Sequence, residues 1–211
     1  PVTSAFGGQR SIQLSYECVR GTIRQRPRAC KIARSLVRFD STNFRAGGCM
    51  SRLDSFIRRL TAQRDCLALA ARLVQELPGP VLELGLGNGR TYDHLRALLP
   101  EREIFAFDRQ LAAHPDSTPD ESHLVLGDFR ATLPGLARRF PGQAALVHGD
   151  FGSGGRADTE ALAAAMVPLI APLLRPGAVI VADQKLDAAP WPPLPLPAGV
   201  AEGRYFIYRA P

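Results

Sequence analysis

A glycine-rich turn between a predicted strand and a predicted helix constrains this chain more than any other feature. The run from Pro80 to Arg90 reads PVLELGLGNGR. Its first half is a short apolar stretch, which is typical of a buried strand in a parallel sheet. The glycines permit a tight turn and let a ligand lie against bare backbone. A helix that begins near Arg90 would direct its free N–H groups at that ligand.

The spacing of the glycines separates two kinds of ligand. A dinucleotide-binding turn reads G-x-G-x-x-G and would need a glycine at position 90, where this chain has Arg90. Glu83 would repel a pyrophosphate but would suit a cationic ligand. The string ELGLGNG at 83–89 resembles motif I of the class I S-adenosylmethionine-dependent methyltransferases, E/D-x-G-x-G-x-G, whose cofactor carries a sulfonium and an ammonium group. The alternatives are an NAD-dependent oxidoreductase and a non-catalytic S-adenosylmethionine-binding module.

Four further apolar segments are predicted strands, and each ends in an acidic residue. These segments cover residues 103–108, 123–128, 144–150 and 177–183. The acids that end them are Asp108, Asp128, Asp150 and Asp183. Because the carboxyl ends of parallel strands meet at one edge of the sheet, the sequence places these acids beside the glycine turn, where open α/β sheets bind ligands.

The resemblance implies a role for each part of this edge. The motif I residues would hold the methionine part of S-adenosylmethionine: Glu83, Gly85, Gly87, Asn88 and Gly89. Asp108, followed by Arg109, would bind the ribose, and Asp128 with Phe129 would bind the adenine. A narrower resemblance is to a small bacterial family described only as S-adenosyl-L-methionine methyltransferase. It is carried by SRLDSFIRRL at 51–60, ELGLGNGRTYDHLR at 83–96 and RYFIYR at 204–209, and it implies no particular acceptor.

Two residues at the end of the fourth predicted strand, residues 144–150, are catalytic candidates. Methyl transfer needs an aligned acceptor and, for some acceptors, removal of a proton. His148 is a candidate general base, since an imidazole titrates near neutral pH, and Asp150 would face the same side of the strand. The alternatives are a hydrogen-bonded core histidine and an aspartate that caps the next loop. Asp150 with Asp183-Gln184 also resembles the magnesium site of catechol-type O-methyltransferases, but Gln184 departs from that pattern, so no metal site is predicted.

Charge and cysteine usage restrict the partners of the chain. Its formal net charge of +6 is concentrated in residues 1–49, which hold nine basic and two acidic residues. The remainder is nearly neutral and therefore lacks the basic surface that binds nucleic acid.

The longest apolar run, 161–174, is too short to span a membrane. The four cysteines form no C-x-x-C pair, which favours a cytoplasmic location. We expect a small-molecule acceptor, no nucleic acid and no membrane, and the possibility of a homo-oligomer stays open.

The chain divides into two regions at Met50. Residues 1–49 lack helical periodicity and are rich in Arg and Ser, so we interpret them as a disordered or non-native upstream extension. A transit peptide and a basic nucleic-acid arm are the alternatives.

Residues 50–211 form the predicted methyltransferase domain. We expect an α/β fold with a doubly wound, mostly parallel Rossmann-like sheet and a shortened C-terminal edge. The predicted helices lie near 51–77, 89–99, 130–140 and 157–174, and the last strand near 203–209. The proline-rich segment 190–197 is either a stiff crossover or, through Trp191, a wall of the substrate pocket.

Overall fold

The computed structural model describes residues 51–152 and 156–211, which form a six-stranded sheet with helices on both faces. The expectations for residues 1–49 lie outside the described residues. The strands are β1 (Val81–Leu84), β2 (Ile104–Asp108), β3 (Leu124–Leu126), β4 (Ala144–Gly149), β5 (Leu174–Ala182) and β6 (Phe206–Arg209). The helices are α1 (Arg52–Leu73), α2 (Arg90–Leu98), α3 (Phe129–Arg139) and α4 (Arg156–Ile170), with short 3₁₀ segments at Pro115–Ser117 and Ala171–Leu173.

The strand order, β3-β2-β1-β4-β5-β6, confirms the predicted doubly wound, mostly parallel sheet. Strands β1 to β5 are parallel, and β6 pairs antiparallel with β5. The chain moves outward from β1 to β3 and then returns to the other side of β1 with β4. Leu84 is paired with Phe107 on β2 and with Gly149 on β4, so these three strands end side by side. This switch point is where open α/β sheets bind ligands.

Alternate residues of the central strands enter two separate cores. Leu82 and Leu84 pack on the face covered by α3 and α4, which contribute Leu133 and Met166. Neighbouring residues of the same strands, such as Val81, pack on the other face with the apolar sides of α1 and α2. The near-continuous apolar sequence of β1 follows from this, because both faces of the strand are buried.

Helix α1 ends at Leu73, four residues before the predicted limit. Pro78 and Pro80 favour an extended chain soon afterwards, and the guanidinium of Arg102 binds carbonyl groups of the segment that follows the helix. Those carbonyls belong to Val74, Gln75, Leu77 and Gly79, at 2.5–2.9 Å from the Arg102 nitrogens. One side chain thus binds four backbone acceptors of the segment between α1 and β1. Helix α4 also ends earlier than predicted, at Ile170. Leu174, which we predicted to be helical, is the first residue of β5.

The C-terminal edge is as short as predicted. The last strand spans only Phe206–Arg209, and a proline-rich loop runs beside it, with Pro193 forming an isolated bridge to Tyr208. Trp191 is buried in the core that contains Leu186, so its ring packs inside the domain. Within the described ranges, no helix has the length and apolar character needed to cross a membrane.

Candidate active site

The glycine turn after β1 is shaped by two close contacts and one open surface. Gly85, Gly87 and Gly89 all have positive φ, at 98°, 52° and 85°. A Cβ on Gly85 would lie 2.1 Å from the carbonyl oxygen of Asp150, and one on Gly89 would lie 2.6 Å from Ser117. A Cβ on Gly87 would meet nothing within 4 Å. Gly85 and Gly89 therefore fix the turn, while Gly87 presents bare backbone to open space.

Asp108 holds the turn against the end of β2. Its Oδ2 accepts a hydrogen bond from the backbone N–H of Gly87 at 2.8 Å. The N–H groups of Gly85 and Leu86 donate to the carbonyl oxygen of Phe107 at 2.9 and 3.1 Å. The structure thus brings Asp108 together with the glycines, as the sequence predicts, and adds a direct bond between them. Asn88 is exposed on the turn, and Arg109 is exposed beyond β2.

Asp128 and Phe129 lie farther along the same sheet edge, where β3 meets α3. The Asp128 carboxylate caps α3 by accepting from the N–H of Arg130 at 2.8 Å, and its side chain stays 49% exposed. The Phe129 ring is buried edge-on to Phe151, with 6.4 Å between the ring centroids. The carboxylate is therefore open to solvent beside an apolar wall.

Glu83 and His148 form a buried pair beneath the turn. Glu83 Oε2 lies 2.7 Å from His148 Nδ1, and both side chains are 0% exposed. The hydroxyl of Thr91, in the first turn of α2, donates to Glu83 Oε1. His148 Nε2 lies 3.2 Å from the hydroxyl of Tyr205. Both residues are thus enclosed, and neither presents an atom to the cleft described below.

Two opposing effects act on the pKa of His148. Burial disfavours the charged imidazolium and lowers the pKa, whereas the Glu83 carboxylate beside Nδ1, with Asp150 and Asp183 farther away, raises it. The carboxylates prevail, so the pKa of His148 lies above its usual value.

A cleft of about 240 Å³ lies between the glycine turn, the first half of α1 and the ends of β4 and β5. Phe56 and Leu60 of α1 give it an apolar side. Asp150 and Asp183 give it an acidic side at the carboxyl edge of the sheet. The cleft is thus lined by both carboxylates and apolar side chains.

Asp150 is held at this cleft by two side chains of α1. Its Oδ2 accepts from Nη2 of Arg59 at 3.0 Å and from Nε2 of Gln63 at 2.9 Å, and its side chain is 21% exposed. The same Gln63 nitrogen donates to the Tyr205 hydroxyl at 2.8 Å. Arg59 and Tyr205 lie within the strings 51–60 and 204–209 that carry the family resemblance, but that resemblance implies no role for them, and Gln63 lies outside any motif. Each reaches its partner across a long stretch of chain, so the sequence offered no signal for these contacts.

Asp183 lies beside Asp150 and differs from it in its partners. Burial raises the pKa of Asp183 to about 6, and the nearby carboxyl group of Asp150 adds to this effect, while the side-chain amide of Gln184 opposes it by donating to Oδ2 at 2.9 Å. The other oxygen, Oδ1, is buried and has no hydrogen-bond partner among the described residues. Asp183 is therefore the less satisfied member of the acid pair.

These features fit S-adenosylmethionine. The bare backbone at Gly87 leaves room for a ligand, the carboxylate of Asp108 adjoins the turn, and the exposed carboxylate of Asp128 lies farther along the edge. The cofactor is cationic at its sulfonium and ammonium groups, so an acidic edge attracts it. Among the residues that the structure describes, no group of three or more His, Cys, Asp or Glu side chains is arranged to hold a metal ion.

Comparison with known proteins identifies the family. A sequence profile described as S-adenosyl-L-methionine methyltransferase matches residues 50–210. A crystal structure of an S-adenosyl-L-methionine methyl transferase from Silicibacter pomeroyi DSS-3 is 48% identical, covers 77% of this chain and 100% of its own, and superposes with a TM-score of 0.74. A Corynebacterium glutamicum structure is 15% identical over 71% of this chain and 80% of its own, with a TM-score of 0.49. No curated protein sequence matches. The chain belongs to the S-adenosyl-L-methionine methyltransferase family and is an S-adenosylmethionine-dependent methyltransferase.

Proposed function

We propose that the methyl acceptor is a small molecule, bound in the cleft beside Asp150. The observation that carries this proposal is the size and lining of the cleft: about 240 Å³, lined by Phe56 and Leu60 as well as by the acid pair. Residues 50–211 are nearly neutral in charge, whereas a nucleic-acid acceptor calls for a basic surface. A small, partly apolar acceptor matches both features.

The proposed cofactor contacts follow the sheet edge. Gly85, Gly87, Asn88 and Gly89 hold the methionine part of S-adenosylmethionine. Asp108, with Arg109 beside it, binds the ribose hydroxyls, and Asp128 with Phe129 binds the adenine. S-adenosylmethionine supplies an electrophilic methyl group on its sulfonium. The protein aligns the acceptor with that group and excludes water.

Glu83 and His148 act on the cofactor indirectly in this proposal. Because both side chains are fully buried and bonded to each other, neither can touch a bound molecule without a rearrangement. Glu83 instead fixes the start of α2 through Thr91 and adds negative charge below the turn. His148 is thus proposed as a positioning residue rather than a general base, and Asp150 is the residue of this strand end that orients the acceptor.

Replacement of Asp108 tests the proposed cofactor contacts. Asp108→Ala removes both a ribose acceptor and the bond to Gly87, so S-adenosylhomocysteine should bind about 1–3 kcal/mol more weakly by calorimetry. Asp187→Ala, an exposed acid paired with Lys185, is the matched control and should bind normally. Affinity of Asp108→Ala equal to that of the unchanged protein would contradict the assigned contact. NAD, titrated in parallel, should give no binding.

A methyl-transfer screen tests the acceptor. The protein is incubated with cofactor labelled in the methyl group and, separately, with pooled metabolites, nucleic acid and cell protein, each with and without magnesium. Label is expected in metabolites alone. Labelled DNA, RNA or protein as the only product would overturn the small-molecule proposal.

A cytoplasmic location in a bacterium completes the proposal. Cys66 is fully buried in the α1 face of the core as a free thiol, and burial raises its pKa to about 11. Such a thiol is unreactive and has no disulfide role, which suits a reducing compartment.

A further inference from the structure

We propose that Asp183 accepts the proton that the acceptor loses on methylation, with Asp150 as its ionised partner. The inference rests on the proposed acceptor cleft. It narrows the acceptor to a nucleophile that carries a transferable N–H or O–H proton, attached to a partly apolar body.

The first support is the geometry of the two acids. They follow neighbouring parallel strands, β4 and β5, and both line the cleft. Gly149 and Ala182, which directly precede them, are paired across the two strands, so the two carboxyl groups are neighbours at the sheet edge, and the charge of Asp150 acts on Asp183. Two carboxylates that close together cannot both ionise at low cost, so the pair holds a proton more readily than an isolated aspartate.

The second support is the unequal environment of the two acids. Asp150 receives hydrogen bonds from the Arg59 guanidinium and the Gln63 amide, so its carboxylate is held by two donors, one of them charged. Asp183 receives a bond from Gln184 on Oδ2, and the backbone N–H of Phe151 also favours its ionised form. Its Oδ1, however, is buried without a hydrogen-bond partner in the described part of the chain. When the pair binds one proton, Asp183 is therefore the residue that carries it. Neighbouring titratable groups with different environments are the usual basis of acid and base roles.

The charged and titratable groups around the pair agree with this assignment. The negative charge of Asp183 raises the pKa of His148, in β4, and of Tyr205, just before β6. Burial raises the pKa of Tyr205, so its hydroxyl is neutral and cannot compete as a base. Arg59 is engaged with Asp150, and Lys185 is turned to Asp187 at 2.5 Å. Asp183 is thus ionised at neutral pH and close enough to its protonation range to take up a proton.

The reaction step balances with these residues alone. The acceptor's lone pair forms a bond to the methyl carbon as the carbon–sulfur bond breaks, and the electrons of that bond return to sulfur. The acceptor's N–H or O–H bond then releases its proton to Asp183, and its electrons stay on the nitrogen or oxygen. The proton leaves to solvent through the cleft. An acceptor without such a proton, such as a tertiary amine or a thioether, has no use for this group.

Kinetics of Asp183→Asn test the role, with whichever acceptor the methyl-transfer screen identifies. We expect kcat to fall by about 10²-fold or more, while the Kd for S-adenosylhomocysteine stays within about threefold. In the unchanged protein, kcat should decline on the acid side with a midpoint near pH 6, as Asp183 becomes protonated. That decline should be absent from the residual activity of Asp183→Asn. Asp183→Glu should recover part of the rate, and Asp187→Asn, an exposed acid on the same loop, should change nothing.

Three results would overturn the proposal. One is a kcat of Asp183→Asn within about threefold of the unchanged protein. A second is an equal loss of S-adenosylhomocysteine affinity or of folding in Asp183→Asn and Asp183→Glu, which would assign Asp183 a structural role. A third is activity that is abolished by a chelator and restored by magnesium, since a cation would then occupy the place of the shared proton.

Failure of this inference is separable from failure of the proposed function. If the acceptor proves to be a nucleic acid or a protein, the small-molecule proposal fails while the Asp183 kinetics can still be measured on that acceptor. A direct titration of the Asp183 carboxyl carbon by NMR, assigned with Asp183→Asn, needs no acceptor. A midpoint near 4 there would overturn the inference whatever the acceptor is.

Discussion

Two acidic sites, only a few residues apart in the sheet, have been built in opposite ways. Glu83, in the middle of β1, has both carboxylate oxygens hydrogen-bonded and no exposed surface. Asp183, just after β5, borders the cleft and leaves one oxygen without a partner among the described residues. The Tyr205 hydroxyl and the Gln63 amide connect the two sites, through His148 on one side and Asp150 on the other.

The contrast indicates what each site can do. A buried charge whose partners are all in place stabilises one arrangement and resists change. A carboxylate at a cleft with a missing partner is strained in its ionised form and gains from a proton or a ligand. Stability and reactivity are therefore divided between two acids of one network, and the two should respond in opposite directions to removal of their charge.

The largest expected effect is loss of stability in Glu83→Ala. The substitution leaves His148 and Thr91 without their partner inside the core, so the free energy of unfolding should fall by about 3–5 kcal/mol. Urea unfolding followed by circular dichroism measures it. Glu202→Ala, at an exposed position, should stay within about 0.5 kcal/mol of the unchanged protein. A fall of less than about 1 kcal/mol in Glu83→Ala would remove the contrast.

The second prediction is a gain of stability in Asp183→Asn at high pH. The folded-state pKa of Asp183, about 6, lies above its ordinary value of 3.8. Stability from this group is thus complete below about pH 4 and is lost as pH rises through about 6. Asparagine does not titrate. The free energy of unfolding of Asp183→Asn minus that of the unchanged protein should therefore be about 1–3 kcal/mol larger at pH 8 than at pH 4.

Urea unfolding of both proteins at the two pH values measures this difference. An equal offset at pH 4 and pH 8 would show that Asp183 titrates normally. A lower stability of the variant that appears only at pH 8 would show that the ionised carboxylate is stabilising, which contradicts the comparison.

The smallest effect is expected for Tyr205→Phe, which removes the hydroxyl that connects the two sites. His148 and Gln63 each lose one bond but keep another, to Glu83 and to Asp150. The cost should be about 1–2 kcal/mol in urea unfolding. In a double-mutant cycle with Gln63→Leu, the two losses should fall short of additivity by about 0.5 kcal/mol or more, because they remove the same bond. Strict additivity would mean that the two sites are independent.

The sequence predicts what depends on local chemistry. A short apolar stretch and the glycine spacing located β1, the turn and α2, and the acids at strand ends located the sheet edge. These signals could be read because each lies within a few residues of the chain. The prediction for His148 as a base could not be judged from sequence, since its side-chain partners, Glu83 and Tyr205, lie 65 and 57 residues away.

Long-range side-chain contacts explain the other differences. The end of α1 depends on Arg102, whose guanidinium reaches carbonyl groups 23–28 residues earlier in the chain. Arg59 and Gln63 appear in the sequence as ordinary surface and core residues of a helix, yet they hold Asp150 from 91 and 87 residues away. No periodicity or motif encodes such pairs.

The proline-rich loop at the last strand also bears on how this protein behaves at high concentration. The N–H of Leu194 donates to Ile207 and that of Arg209 to Pro192, so the loop occupies the outer edge of β6. Pro192, Pro193 and Pro195 have no N–H to offer to a further strand. At the opposite edge, β3 is only three residues long. Both margins of the sheet are thus poor templates for strand addition, which protects the domain against edge-to-edge aggregation.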